Sequence, residues 1–463
     1  MTTSLFTRDR AFYRSFLRLA LALMAEQAVI LSVNLADNLM LGAYSESALS
    51  GVAAVNQIQF VLQQIVYGVS NGMIVLGSQY WGQRRVGEIN KLAAIGALSA
   101  TVLTLLLFAA VSLFPGEVLR LFTRDGDIAA QGMQYLDLMR WSYVFFGLTT
   151  VMLGAMRIAE TVKIALRVSI VSLFINVGIN YLLIPGRLGF PELGVRGAAI
   201  GTLTARVIEF TIVCAYLFTR DQRLQIRPRD FTRIDRQMFA DYIRVSTPII
   251  IAAAIWGVCG AVQTMILGHM DKSAIAAQSI SNTLYLLMKV AAVGACSAAS
   301  IIIGKAVGAG DMDQIRSYTR TLQLLFVGIG AVLAALFACI AFRLLHVYSI
   351  SEATHRMARS FILIQTLTMF TMSYQMPVNS GIIRGGGDTR FMLILDIISQ
   401  LVIIIPLALL AAFVWHATPV LVTFILYSDQ IFKCVPAFIR VNSYKWIRRL
   451  TRPEAASDQP NAV

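Results

Sequence analysis

Long apolar runs and short polar breaks alternate along almost the entire chain. Twelve runs, at roughly 15–41, 48–76, 92–114, 130–154, 164–184, 196–218, 240–267, 274–303, 319–342, 358–382, 391–413 and 418–439, approach or exceed the ~20 residues that a helix needs to cross a bilayer. The pattern predicts an all-α polytopic membrane protein of twelve transmembrane helices. Polar positions inside these runs are not scattered. In the first, Glu26, Gln27, Asn34, Asp37 and Asn38 fall within an arc of about 120° at helical spacing. The second carries Asn56, Gln63, Tyr67 and Ser70 on one face, and the fifth carries Ser169, Ser172, Asn176 and Asn180. The eighth has Gln278, Asn282, Tyr285 and Lys289, and the tenth Gln365, Thr368, Gln375 and Asn379. A single amide in a span serves well enough as glue between helices, at about 0.6–2 kcal/mol. Five striped helices predict more than glue, namely a wet interior shared among them.

Composition supports the membrane reading, with 57% hydrophobic and 14% charged residues and a mean hydropathy of +0.69. The net charge of +14 invites a nucleic-acid partner, but its distribution argues against one. With the amino terminus inside, and span ends counted with their loops, 27 of the 39 Lys and Arg lie on the inner side and 8 on the outer. Arg140, Arg206, Lys289 and Lys433 fall within spans. That is the positive-inside asymmetry of a bacterial inner-membrane protein with both termini cytoplasmic. The basic stretch TRDQRLQIRPRDFTRIDR, at 219–236, reads as a cytoplasmic linker, and YKWIRRLTR near the end as cytoplasmic tail. The expected organisation is a first bundle over 1–218, a linker over 219–238, a second bundle over 239–443 and a tail over 444–463.

The sequence also repeats. Residues 39–89 superpose without gaps on 265–315, so that Gly42 meets Gly268, Asn56 meets Asn282, Gly68 meets Gly294 and Gly82 meets Gly308. One residue further, Gly154 meets Gly381, Arg157 meets Arg384 and Lys163 meets Arg390. Two halves of six spans each begin and end on the same side, so the repeat is parallel, and the cleft between the halves is the expected substrate path. Gln63, Tyr67, Gln278, Asn282, Tyr285 and Gln375 are the candidate lining residues, with Asn34 and Lys289 beside them.

Ionisable groups inside the bilayer are costly enough to need a reason. Arg206 with Glu209, and Asp429 with Lys433, sit at ion-pair spacing on their own helices. Asp37, Lys289 and Asp396 have no such neighbour. Two motifs resemble catalytic ones and lack the context. GVSNG at 68–72 matches a hydrolase elbow, yet lies within a helical span where its glycines suit close helix packing. RGGGDTR at 384–390 lacks the lysine pattern of a phosphate loop and reads as a tight turn. The four histidines and five cysteines show no metal or disulfide spacing, and no cofactor is expected.

LADNLMLG at 35–42, SQYWGQRR at 78–85, ILGHMDKSAIAAQSISNT at 266–283, GKAVGAGD at 304–311, RGGGDTRF at 384–391 and YKW at 444–446 resemble the multidrug and toxic compound extrusion (MATE) transporters. The resemblance covers essentially all twelve spans. It implies two six-helix bundles set as a V, alternating access, and export of cationic or amphipathic small molecules by a monomer in the lipid bilayer, driven by Na+ or H+ entry. Asp37 matches the acidic residue of the family's first span, and Asn176, Asn180 and Thr202 match the rest of its cation cage, with Na+ as one candidate ion at Asp37. Asn180 stands where family members carry a second acid. Trp256 and Ser373 replace the acids that one branch uses in the seventh and tenth spans, and the first span has no proline with which to bend. The rival readings are a flippase or exporter of a lipid-linked or anionic metabolite and, more remotely, a membrane-embedded enzyme.

Overall fold

The computed structural model describes residues 6–120, 122–123, 125–232, 235–270, 272–345 and 351–452. His346 and the tail beyond residue 452 lie outside them. The crossings are α1 (Arg10–Tyr44), α2 (Glu46–Gly82), α3 (Val86–Leu113), α4 (Gly126–Met139 continued by Ser142–Ile158), α5 (Val162–Leu183) and α6 (Val195–Thr219) in the first half. The second half has α7 (Arg236–Met270), α8 (Lys272–Ala309), α9 (Met312–Leu345), α10 (Glu352–Met376), α11 (Thr389–Val414) and α12 (Pro419–Asn442). Local signals set the starts. Asp9 caps α1 by accepting from the Ala11 amide at 2.8 Å, and Asp125 caps α4 through the amides of Asp127 and Ile128.

Ten of these helices are long and apolar enough to cross a membrane by themselves. The α4 pair adds an eleventh crossing, bent by 54° at Arg140 and Trp141. The remaining one, α10, is long enough but more polar, because Gln365, Thr366, Thr368, Thr371, Ser373 and Gln375 interrupt it. Leu106, Leu113, Phe174, Val332 and Val402 are each more than half exposed, an apolar surface that only lipid tolerates.

The halves meet at one end, and the repeat-related glycines make the junction. A Cβ on Gly82 would fall 2.1 Å from the Lys305 carbonyl oxygen, and one on Gly308 2.0 Å from the Gln79 carbonyl oxygen. Only glycine lets α2 and α8 cross this closely. Gly68 lies against Ile250 of α7, and Gly294 against Met24 of α1 in the same way; Met24 and Ile250 are themselves partners under the repeat. Lys305 to Glu160 (2.6 Å), Tyr242 to the Val69 carbonyl (2.9 Å) and Tyr318 to Asp9 (2.9 Å) tie the same end.

The segment after α12 closes that end like a strap. Trp446 is fully buried against Gly386, and Asp388, also buried, takes Arg440 and Arg448. Gln79 of the first half donates to the Arg448 carbonyl and accepts from the Leu450 amide, while Arg452 reaches Asp241 at 2.6 Å. The RGGGDTR stretch is thus a turn that seats the strap, with Gly387 at φ +106°. The basic connection between α6 and α7 is anchored too. Leu224 and Ile226 are buried, and Asn90 of α3 donates to the Leu224 carbonyl.

Candidate functional site

Each half is hollowed by its own polar cavity. The first, of about 390 Å³, lies among α1, α2, α5 and α6 and is walled by Asn34, Asn38, Asn56, Gln63, Asn176 and Thr202. Arg206 and Glu209 share the wall as an ion pair at 2.8 Å. Behind Asn176 and Thr202, a relay runs back to α1. Asn180 donates through Nδ2 to Asp37 Oδ1 at 2.6 Å and lies 3.4 Å from Asn176 Oδ1, and Asn176 donates to Thr202 Oγ1 at 3.2 Å. Asn176 and Asn180 are almost wholly buried, one turn apart on α5, which is what i, i+4 spacing delivers. Asn180 Oδ1 is a buried acceptor with no hydrogen-bond partner. A carboxylate backed by a spare amide oxygen, a second amide and a hydroxyl is an all-oxygen donor set suited to a hard cation, or to a proton on the carboxyl itself.

The second cavity, of about 340 Å³, lies among α7, α8, α10, α11 and α12. Gln278, Asn282, Tyr285 and Lys289 of α8 line one side and Trp256 and Gln263 of α7 another. The Lys289 ammonium rests 4.4 Å from the centre of the Trp256 ring. At the cavity edge Lys433 bridges two acids, Asp396 at 2.8 Å and Asp429 at 3.2 Å, and Gln400 donates to Asp429 at 2.6 Å. Asp396 stands just before, and Gln400 within, a stretch of wide π-type turns at Ile397–Ile404, which brings both toward α12.

The eight residues expected along one cleft therefore divide. Asn34 and Gln63 line the first cavity; Gln278, Asn282, Tyr285 and Lys289 line the second. Tyr67 and Gln375 line neither. Tyr67 accepts from Gln63 and packs edge-on to Phe146, while Gln375 is buried between Gln430 and Asn379. The four cage residues come together as one relay. Asp396, without a partner on its own helix, finds Lys433 on another.

Three features escaped sequence reasoning. Glu26 of the first stripe faces protein rather than water, buried against Arg157 at 2.5 Å. Tyr135 of α4 is buried beside Thr202 and completes the back of the relay. Asp388 anchors the strap. Only the pairing of Arg157 with Arg384 under the repeat hinted at the first.

Two parallel repeats of six crossings, each hollowed by a polar cavity and joined at one end, define a polytopic membrane protein of the two-bundle type. The chain belongs to the MatE family, which it matches over residues 22–182 and 248–410. It is 24% identical over 445 residues to the probable multidrug resistance protein NorM of Thermotoga maritima, covering 95% of this chain and 94% of that one. The probable multidrug resistance protein NorM of Rhizobium meliloti is 24% identical over 399 residues, 84% of each chain. Among solved structures, a mutant of the Vibrio cholerae MATE transporter VcmN superposes with a TM-score of 0.85 at 16% identity, over 95% of this chain and 98% of that one.

Proposed function

We propose that the protein is a secondary active exporter of cationic or amphipathic small molecules, working as a monomer in the bacterial inner membrane and driven by entry of Na+ or H+ at Asp37. The basic end is then cytoplasmic, and the described arrangement, sealed there by glycine contacts and strap, opens outward. The relay from Asp37 through Asn180 and Asn176 to Thr202 carries the reading. The names of the relatives and the bias of Lys and Arg toward one face support it.

In this scheme an external cation reaches the relay through the first cavity. A proton would neutralise the Asp37 carboxyl; Na+ would bind Asp37 together with Asn180 Oδ1. Either removes a negative charge behind the cavity wall that would otherwise attract an amphipathic cation, so ion and substrate oppose one another. For coupling, the ion must also bind the outward and inward arrangements with different affinity. The element that differs between them is the α2–α8 crossing, whose glycine contacts must part for the cytoplasmic side to open.

The test is export of ethidium in proteoliposomes under a Na+ gradient alone and under a pH gradient alone. Accumulation under one of them supports the reading and names the ion. Accumulation under neither, with protein correctly inserted, overturns it.

A further inference from the structure

We infer that the second cavity is a separate ligand site for an amphipathic zwitterion, whose carboxylate pairs with Lys289 of α8 and whose N–H donors meet the side formed by Gln400 and Asp429 of α11 and α12. Lys289 is half-buried, and among the described residues no carboxylate oxygen comes within 4.0 Å of its ammonium. The two acids nearest the cavity are held by Lys433 instead. That triad carries one net negative charge and Lys289 one positive, so the cavity is dipolar, with its two poles on different helices. An ammonium parked on an indole face in a partly desolvated site is under-compensated, and an anionic group is the chemistry that completes it.

The opposite pole is short of donors. Gln400 spends its amide N–H on Asp429, which leaves its side-chain carbonyl oxygen buried without a partner beside the acid. Acceptors in need of donors on one side and a cation in need of an anion on the other describe a ligand bearing both an ammonium and a carboxylate. Trp256 and Leu286, each more than a third exposed, add an apolar rim for the body of such a molecule. The assignment differs from the cation coupling proposed for the first half, and it is tested by binding, without any gradient.

The probe is Nε-dansyl-L-lysine, an amphipathic zwitterion, against its methyl ester, a cation of nearly the same shape. Fluorescence titration of the full chain in lipid nanodiscs at pH 6.5, where both amines are protonated, is expected to show the zwitterion binding at least tenfold more tightly. Lys289→Met should abolish that preference, Lys289→Arg should keep most of it, and Lys163→Met, which alters an exposed lysine elsewhere, should leave it unchanged. Equal or tighter binding of the ester to wild type, no saturable binding of the zwitterion, or a preference that survives Lys289→Met would each overturn the inference. The wild-type comparison needs no variant to fold.

Discussion

In the first half one carboxylate, Asp37, is held by a neutral amide; in the second, Asp396 and Asp429 hold a lysine between them. The positions correspond closely. Under the repeat, Asp37 falls on Gln263, Thr202 on Asp429 and Arg206 on Lys433. The second half thus carries a tethered ammonium beside the place that corresponds to the Asp37 carboxylate of the first. Two bundles with the same path of the chain carry opposite charges at related places, and the difference lies in a few side chains and in the π-type turns that bring Asp396 and Gln400 to α12.

The comparison can be broken at several points. Lys433→Met strands two acids in the second half and should cost about 3–5 kcal/mol of stability. Thermal unfolding in NaCl against choline chloride should then reveal a Na+-dependent recovery that wild type lacks at this site; no response to Na+ would mean that Lys433 is not acting as a built-in cation. Glu26→Gln leaves Arg157 buried and unpaired, with an expected loss of about 3 kcal/mol. Under the repeat, Arg384 takes the place of Arg157 while Ala252 takes that of Glu26, and the buried Arg384 Nε has no hydrogen bond, so Arg384→Met should cost clearly less in the same melt. Gly82→Ala and Gly308→Ala should each cost about 1–3 kcal/mol, and by equal amounts, because the two Cβ atoms would strike equivalent carbonyls. Unequal losses would show that the seal lacks the symmetry its glycines suggest.

The sequence made the crossings legible because bilayer length is a strong one-dimensional signal. Even the departures have local causes. The α4 bend lies at Arg140 and Trp141, inside the apolar run at 130–154, and α10 is polar because its stripe is. Angular spacing placed Asn176 and Asn180 on one face, and the family resemblance joined them to Asp37. What spacing could not supply was the depth at which a stripe changes its neighbour. Glu26 and Asp37 share a face of α1, yet the first meets Arg157 from α4 and the second meets Asn180 from α5. Nor could it reveal pairs made between distant helices, such as Asp396 with Lys433 or Asp388 with the strap. The expected lining residues divide between two cavities for the same reason, since which helices face one another is a property of the packed bundle.

The central claim is that ion coupling resides in the first half alone. Its most direct measurement is gradient-driven ethidium export by Asp37→Asn and by Gln263→Leu, the repeat-related position, at matched protein levels in proteoliposomes. Asp37→Asn is expected to lose the response to the driving ion by at least tenfold, while Gln263→Leu retains it. Full export by Asp37→Asn with its gradient dependence intact, or loss in Gln263→Leu alone, would contradict the account.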